Sequence, residues 1–354
     1  TGDAELVTAF AQTNAGDISP NLDLKPGTGP TADERENTRI IGERQLAAAQ
    51  SLASAAGEQL ETAIDTRLVY VDMARQITAA GRTGPGILGA SFAAGKLTDG
   101  PGSPLFDEGH NNPFFERISR RLYRRSPELA AVQSPKDMAI PVGMLRWSQE
   151  RFPVQLVRIG SLYLVCLPFE VTIVSGLRIR QRVAEVLGTD LDHVLCQGYA
   201  NGFGHYVTTP EEYEFQNYEG GSTIFGRYEL DALIAASAYL AGAMASGTAV
   251  DPGAPPARHR VRIPSPMGSP ILERKHPIVV LDAPRSARSG ETVTVRFAAD
   301  HPNAVIRPTY LVVERLDDNV WTTIADDSSL TTTIRWHRDR RLHWTAMATW
   351  TAGN

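Results

Sequence analysis

A serine and an aspartate stand close together in the segment 14–21, which reads Asn-Ala-Gly-Asp-Ile-Ser-Pro-Asn. A turn at Gly16 and Asp17 can hold the Ser19 hydroxyl rigidly, and Pro20 restricts the chain directly after it. A nucleophilic serine also needs a base within reach, and the sequence around Ser19 supplies none. Since the same residue types form ordinary turns, the segment alone favours a turn over a catalytic site.

A carboxylate stands where a predicted strand gives way to a predicted helix. Glu170 follows Pro168 at this junction, and functional sites gather at the carboxyl ends of strands in α/β sheets. A carboxylate oxygen in that place can ligate zinc. A glutamate in a first helical turn also interacts favourably with the helix dipole, and the local sequence favours this structural interpretation.

A long predicted connector is unusually rich in tyrosine. Between residues 198 and 223 it carries Tyr199, Tyr206, Tyr213 and Tyr218. A solvated loop does not need so much aromatic area, and a phenol can ligate a metal or donate a hydrogen bond to a developing oxyanion. The alternative is that these side chains pack the loop against the domain, and we expect this of some of them.

The common catalytic signatures are missing from the sequence. It contains no G-x-S-x-G, H-E-x-x-H, Walker or G-x-G-x-x-G sequence, and its eight histidines form no H-x-H or H-x-x-x-H pair. The net charge of −5 and the lack of a basic block argue against nucleic-acid binding. No apolar run approaches the roughly 18 residues that a membrane span requires. Cys166 and Cys196 lie in strand-like runs, which favours buried free thiols and leaves a disulfide between the two as an open alternative.

The elements that would position these residues alternate between strand and helix. Strand, helix and strand in succession predict a partly parallel α/β layer. The predicted elements are a strand at 5–12, a helix from Thr31 or Asp33 to about Ala56, a strand at 66–73, a hairpin at 154–159 and 162–167, a helix from about Val171 to Leu187, a strand at 193–198 and a helix at 228–246. Glycine-rich and tyrosine-rich loops, 81–113 and 199–225, separate them.

The helical period ends before the last quarter of the chain. Residues 250–277 are rich in proline and basic residues, which is typical of a linker. Short, regularly spaced strands follow in residues 278–354 and predict a small β-sandwich. Because the chain starts at Thr1 within a strand-like stretch, we expect it to be a fragment or a processed product.

Taken together and in order, many motifs resemble those of neutral ceramidases. These motifs are Asn14-x-Gly-Asp-x-Ser-Pro-Asn21, Ala90-Ser-Phe-Ala-Ala-Gly95, Asp99-Gly-Pro-Gly102, Asn111-Asn-Pro-Phe114, Arg158-Ile-Gly160, Pro168-x-Glu170-x-Thr172, Gly176-x-Arg-x-Arg180, Gly198-Tyr-x-Asn201, Tyr206-x-x-Thr-Pro-Glu-Glu-Tyr213 and Tyr218-Glu-Gly-x-Ser-Thr223. The resemblance extends from about Ala9 to the predicted linker.

The resemblance implies a fold, an activity and a set of roles. Residues 1–249 would be the C-terminal part of a mixed α/β catalytic domain, and residues 278–354 an immunoglobulin-like β-sandwich. The activity would be zinc-dependent cleavage of the ceramide amide bond, by a secreted or extracytoplasmic protein that acts at a membrane or micelle surface. Glu170 and Tyr206 would ligate zinc, Ser19 would be the catalytic serine, and Tyr218 would donate to the substrate.

One departure from the family pattern limits this interpretation. Two further zinc ligands of the family are histidines of the N-terminal half, which we expect upstream of Thr1. Without that half the chain would be inactive, and His205 is not assigned as a replacement because neighbouring loop side chains point apart. Two alternatives remain: a non-catalytic lipid-binding or interaction fragment, and a zinc-independent serine hydrolase built on Ser19.

Overall fold

The computed structural model describes residues 9–55, 57, 59–257, 280–299, 309–338 and 344–352. The chain divides into two compact units, Thr1–Val261 and Arg262–Asn354. Most of the predicted linker lies outside the described residues, as does the first half of the predicted strand at 5–12. Residues 9–12 form no strand, so that part of the prediction is wrong.

The helices described in the first unit vary widely in length. They are α1 (Glu34–Ser54), α2 (Ala90–Ala93), α3 (Pro113–Arg125), α4 (Pro127–Gln133), α5 (Ile173–Leu187), α6 (Pro210–Phe215), α7 (Tyr218–Ser222) and α8 (Glu229–Ala245). None of them is long and apolar enough to cross a membrane. The predictions of α1, α5 and α8 are confirmed to within about two residues at each end.

The strands of the first unit form one larger sheet and several short pairs. The strands are β1 (Ile64–Asp72), β2 (Leu88–Gly89), β3 (Gly95–Lys96), β4 (Gly100–Pro101), β5 (Met138–Ile140), β6 (Arg151–Ile159), β7 (Leu162–Cys166), β8 (Glu170–Val171), β9 (Val194–Gln197) and β10 (Tyr206–Val207). The larger sheet has the order β1-β6-β7-β9. Its only parallel pair among the described strands is β7 with β9, and α5 connects these two.

The β6–β7 hairpin follows from a two-residue turn between apolar runs. Gly160 adopts a φ of +60°, which a residue without a Cβ reaches without strain. The predicted hairpin is therefore confirmed, and so is the partly parallel α/β layer. Cys166 and Cys196 lie on β7 and β9 as free, buried thiols, as predicted.

The core of the first unit lies between the larger sheet and two helices. Helix α8 packs on β1 and β6, α5 packs on β9, and the two helices contact each other. The side chains at its centre are Val154, Leu156, Ile179, Val183, Leu233 and Leu240. The N-terminus of α5 is also fixed by a cap, because the Thr172 hydroxyl accepts a hydrogen bond from the Ser175 amide.

Several short elements were not predicted from the sequence. Helices α3 and α4 had no predicted counterpart, and the segment predicted as a loop at 199–225 contains β10, α6 and α7. Helix α6 starts at Pro210 with a capping box in which the Thr209 hydroxyl accepts from the Glu212 amide. Such five- and six-residue helices are too short to show a hydrophobic period.

The second unit is described as antiparallel strands. They are β11 (Val280–Asp282), β12 (Thr292–Ala299), β13 (Val312–Asp317), β14 (Val320–Asp326), β15 (Thr332–Arg338) and β16 (Trp344–Thr351). One sheet has the order β11-β12-β16-β15, and β13 pairs with β14. The β-rich character is confirmed, although β15 was not predicted, and the immunoglobulin-like arrangement stays a prediction.

Replacing a core residue of α5 tests the packing described here. Ile179 is 0% exposed, and Ile179→Ala is expected to lower the free energy of unfolding by about 2–5 kcal/mol, because it removes buried methyl groups and leaves a cavity. Val174 on the same helix is 42% exposed, so Val174→Ala should change the free energy of unfolding by less than about 0.5 kcal/mol. Denaturant unfolding of both variants provides the comparison, and equal losses would contradict the assigned core.

Candidate active site

Glu170 and Tyr206 lie side by side although 36 positions separate them in the sequence. Strands β8 and β10 pair in parallel, and Glu170 is the register partner of Tyr206. The Glu170 amide donates to the His205 carbonyl oxygen at 2.9 Å, and the Thr172 amide donates to the Val207 carbonyl oxygen at 3.0 Å. These backbone bonds bring the carboxylate and the phenol to the same edge of the domain.

Three phenols surround the Glu170 carboxylate. The Tyr199 hydroxyl donates to Glu170 Oε2 at 2.8 Å, and the Tyr206 hydroxyl also hydrogen-bonds this carboxylate. Tyr206 is in turn hydrogen-bonded to Tyr218, and their ring centroids lie 5.4 Å apart in an edge-to-face arrangement. All four side chains line a cavity of about 560 Å³.

Burial and the carboxylate together keep these phenols protonated. Burial, then the hydrogen bond to Glu170, raises the pKa of Tyr199 to about 12. The same causes, in the same order, raise the pKa of Tyr206. Burial also raises the pKa of Tyr218, although the hydrogen bond with Tyr206 opposes this. At neutral pH the cavity therefore presents neutral phenols next to the Glu170 carboxylate.

The Asn14–Asn21 segment packs against the junction of β8 and α5. The Gly16 amide donates to the Val171 carbonyl oxygen at 2.9 Å, and Asp17 Oδ1 accepts from the Ile173 amide at 2.8 Å. A Cβ on Gly16 would lie 2.8 Å from the Glu170 carbonyl oxygen, so this approach requires glycine. Asp17 satisfies an amide at the start of α5 that has no partner within the helix.

Ser19 is hydrogen-bonded to Asp99, a residue that lines the cavity. The Ser19 hydroxyl donates to Asp99 Oδ1 and accepts from the Asn21 amide at 3.1 Å. The Asn21 side chain donates to the Thr98 carbonyl oxygen at 2.9 Å. Asp99 itself lines the cavity, together with Ile18. The sequence analysis found no partner for this serine, because Asp99 comes from 80 positions away.

The hairpin that carries Asp99 is bonded to the helix that carries Tyr218. Strands β3 and β4 form this hairpin, and Lys96 Nζ lies 2.5 Å from Glu219 Oε1 on α7. Burial alone would lower the pKa of Lys96, but the hydrogen bond to Glu219 and nearby carboxylates raise it. Phe92 stacks on the Tyr218 ring with centroids 4.9 Å apart. The glycine-rich segment thus connects Ser19 to Tyr218.

A buried lysine contacts the C-terminal end of α7. Lys136 is 0% exposed, and its Nζ donates to the carbonyl oxygens of Thr223 at 2.6 Å and Ile87 at 3.0 Å. The ammonium also lies 5.2 Å from the centroid of the Tyr213 ring. Burial lowers the pKa of Lys136 to about 7. Tyr213 is fully buried, so it belongs to the tyrosines that pack the segment, and not to the cavity.

His205 has its own partners beside the cavity. It adopts a φ of +71°, its Nδ1 lies 3.2 Å from the Ser222 hydroxyl, and its ring contacts Phe92 and Phe203. Burial lowers the pKa of this imidazole. Among the described residues, no group of three or more His, Cys, Asp or Glu side chains could hold a metal ion. The oxygen ligands that line the cavity are the carboxylates of Glu170 and Asp99 and the phenols of Tyr199, Tyr206 and Tyr218.

The sequence matches two family models. Residues 1–235 match the model described as neutral/alkaline non-lysosomal ceramidase, N-terminal, and residues 238–354 match the corresponding C-terminal model. The chain therefore belongs to the neutral/alkaline non-lysosomal ceramidase family. The predicted family is confirmed, but its restriction to a C-terminal portion was imprecise, because both models match.

Two bacterial relatives show the extent of the similarity. The chain is 42% identical over 356 residues to a neutral ceramidase of Mycobacterium tuberculosis, a match that covers 96% of this chain and 55% of that protein. It is 36% identical over 361 residues to a neutral ceramidase of Pseudomonas aeruginosa, with 94% and 53% covered. The chain thus spans about half the length of these relatives.

Solved structures show a similar fold. A structure described as ceramidase complexed with C2 aligns with a TM-score of 0.75 at 33% identity, covering 100% of this chain and 58% of that one. The crystal structure of neutral ceramidase from Pseudomonas aeruginosa aligns with a TM-score of 0.70 at 31% identity, covering 100% and 57%. The prediction of a mixed α/β fold is confirmed by these alignments.

A pair of glycine substitutions tests how the Asn14–Asn21 segment packs. Gly16→Ala is expected to destabilise the protein by about 1–3 kcal/mol, because the new methyl group would overlap the Glu170 backbone. Gly42 lies within α1, and a Cβ added there would have no atom within 4 Å. Gly42→Ala should therefore stabilise the protein by about 0.5–1 kcal/mol. Thermal unfolding of both variants separates the two effects. Equal behaviour of the two variants would contradict the close approach at Gly16.

Proposed function

We propose that the chain forms part of the active site of a zinc-dependent amidohydrolase, which cleaves the N-acyl amide bond of ceramide to sphingosine and a fatty acid. The strongest support is the arrangement of Glu170 with Tyr199, Tyr206 and Tyr218 around one cavity. Relatives named neutral ceramidase support the substrate class. The resemblance of the motifs supports the roles given to individual residues.

Glu170 and Tyr206 are the residues that would hold zinc. Carboxylate oxygen is an established zinc ligand, and the two side chains are register partners with hydrogen-bonded oxygens. Zinc bound there would polarise the substrate carbonyl and lower the pKa of a bound water to about 7. Two donors are fewer than the usual three or four protein ligands, and no described histidine lines the cavity. We therefore propose that histidines outside residues 1–354, in the N-terminal half of the same enzyme, complete the site.

Tyr218 is proposed to donate a hydrogen bond to the oxygen of the scissile amide. Its raised pKa keeps the phenol protonated at neutral pH, which a donor to a developing oxyanion requires. The stacked Phe92 ring and the hydrogen bond with Tyr206 limit its side-chain rotation. A donor fixed before the reaction loses little free energy to reorganisation as negative charge develops.

Ser19 is proposed as the catalytic serine, with Asp99 as its positioning residue. The Ser19 hydroxyl is held between a carboxylate that accepts from it and the Asn21 amide that donates to it. Catalytic groups need positioning to well under about 1 Å, and hydrogen bonds on both sides of the hydroxyl provide this. Asp99 reaches the cavity through the β3–β4 turn, where its amide donates to the Lys96 carbonyl oxygen at 2.9 Å.

The remaining parts of the proposal rest on the resemblance to the family. We propose that the strands of residues 278–354 form an immunoglobulin-like domain and that the protein is secreted or extracytoplasmic. Its partner is ceramide or a related N-acyl sphingoid lipid, presented at a membrane or micelle surface. The four-stranded sheet and the β13–β14 pair are compatible with such a domain.

A non-catalytic lipid-binding fragment is the second candidate function. It is favoured by the absence, within the described part of the chain, of any group of three or more ligand-type side chains. Ceramide binding without turnover, by protein expressed from the complete reading frame and supplied with zinc, would support this alternative. The zinc-independent serine hydrolase is weaker, because the group next to Ser19 is a carboxylate and no described histidine contacts that serine.

Substitutions at Ser19 and Asp99 test the catalytic proposal. In protein expressed from the complete reading frame, Ser19→Ala should reduce ceramide turnover by at least about 100-fold, while the free energy of unfolding falls by only about 1 kcal/mol. Asp99→Asn retains an acceptor oxygen, so it should keep more activity than Asp99→Ala. Ser54→Ala on exposed α1 is the matched control. Near-normal turnover in the Ser19→Ala enzyme would end the catalytic assignment.

Zinc binding by residues 1–354 alone tests the proposed ligand set. With two protein donors, isothermal calorimetry should give a dissociation constant of roughly 1 μM or weaker, and ceramide hydrolysis should be minimal. Glu170→Gln with Tyr206→Phe should remove the remaining binding, whereas Glu185→Gln with Tyr239→Phe, both away from the cavity, should not. Tight zinc binding with chelator-sensitive hydrolysis by residues 1–354 would contradict the proposed external histidines.

A further inference from the structure

Helix α3 has one face that is fixed against the domain. On this inner face the buried Ser119 hydroxyl accepts from the Met138 amide at 2.7 Å. The Tyr123 hydroxyl donates to the Lys136 carbonyl oxygen at 2.6 Å, and the Phe115 ring stacks on Phe106 with centroids 5.5 Å apart. These contacts determine which side of α3 faces outward.

The outward side carries an apolar stripe. Phe114, Ile118 and Leu122 are 69%, 39% and 39% exposed. They repeat every four residues, so they follow one another along the same side of the helix. Single exposed apolar side chains are common, but an exposed row of three beside the packed side of a helix forms a continuous apolar surface.

A row of arginines lies directly beside this stripe. Each of Arg117, Arg121 and Arg125 lies three residues after an apolar position, and Arg117 and Arg121 also lie one residue before the next one. All three arginines are exposed. No ion pair joins any of them to another residue in the described part of the chain, whereas Arg120 pairs with Glu116. Helix α3 contains five arginines and a single glutamate, although the whole chain has a net charge of −5. The cationic charge of this face is therefore local and uncompensated.

A surface that combines an apolar row with arginines matches the interfacial region of an anionic lipid bilayer. Apolar side chains enter the boundary of the acyl chains, while arginine side chains keep their guanidinium groups at the level of the phosphates. Each arginine near an anionic membrane surface strengthens binding by about fivefold. The negative charge of the rest of the chain is repelled by the same surface, which would orient the protein with α3 towards it.

We propose that the α3 surface, defined by Phe114, Ile118, Leu122, Arg117, Arg121 and Arg125, docks onto the surface of an anionic lipid bilayer. Short segments connect it to the cavity within the same unit. Glu108, just before α3, accepts from the Tyr218 amide at 3.0 Å and from the Leu97 amide at 3.3 Å. Docking here would keep the cavity of the first unit close to a lipid surface. Vesicle binding is measured without hydrolysis, so a failure of this proposal can be told apart from a failure of the proposed ceramide hydrolysis.

Vesicle flotation of protein expressed from its complete reading frame tests the proposal. The protein should bind vesicles of equimolar phosphatidylcholine and phosphatidylglycerol, and bind pure phosphatidylcholine vesicles at least about tenfold more weakly. Arg117→Gln, Arg121→Gln and Arg125→Gln together should weaken binding to the mixed vesicles by at least about tenfold. The control combines Arg35→Gln, Arg44→Gln and Arg182→Gln, which removes the same charge from other exposed helix surfaces and should have little effect. Equal losses in both triple variants, or no vesicle binding by the parent protein, would overturn the proposal.

A fluorescent label reports insertion even if a triple variant folds poorly. An environment-sensitive fluorophore on Ile118→Cys should shift to shorter wavelength when mixed vesicles are added, because this position would enter the bilayer interface. Leu46→Cys on α1 is 49% exposed and should not shift. The native Cys166 and Cys196 are buried. An unchanged emission wavelength of the label at position 118 would overturn the proposal. A concentration-dependent dimer that Phe114→Ser dissociates would also overturn it, because a second copy of the chain would then cover this face.

Discussion

Two backbone hydrogen bonds, from Glu170 to His205 and from Thr172 to Val207, join strands β8 and β10. The geometry of the site depends on this pairing. It places the carboxylate of Glu170 beside the phenol of Tyr206, and it leaves the start of α5 free to receive the Asn14–Asn21 segment. Because each strand contributes only two residues, the pair depends on the elements that flank it. In the chain, the buried Phe169 and the capped α5 flank β8, and α6 and α7 follow β10.

The chemistry of the cavity follows from placing the Glu170 carboxylate among several phenols. This carboxylate accepts hydrogen bonds from Tyr199 and Tyr206, and Tyr206 is hydrogen-bonded in turn to Tyr218. Burial and that anion together raise the pKa values of Tyr199 and Tyr206, so the phenols remain neutral well above neutral pH. The result is a polar cavity whose wall carries the Glu170 and Asp99 carboxylates, the Lys96 ammonium and neutral phenols.

The sequence predicted the fold more fully than the site. The spacing of two strand-like runs around a turn was sufficient for the β6–β7 hairpin. Polar caps and alanine-rich runs were sufficient for α1 and α8, and an amphipathic pattern was sufficient for α5. The pairing of Glu170 with Tyr206 could not be derived from spacing, since a two-residue strand has no period. The motif resemblance supplied those residues. Helix α7 was missed because its sequence, Tyr-Glu-Gly-Gly-Ser, has low helix propensity and forms only within the folded domain. Asp99 was missed as a partner of Ser19 because only the folded chain brings them together.

The hydrogen bonds that close the cavity connect distant parts of the chain. Asn21 bonds Thr98 across 77 positions, Lys96 bonds Glu219 across 123, and Asp17 bonds Ile173 across 156. Each of them requires the closure of a long loop, which costs conformational entropy before the contact returns any stabilisation. The β6–β7 hairpin requires no such closure and can form early. We therefore expect this cavity to be completed late in folding, so that a nascent chain with its sheet already formed would still expose the aromatic wall of its unfinished site.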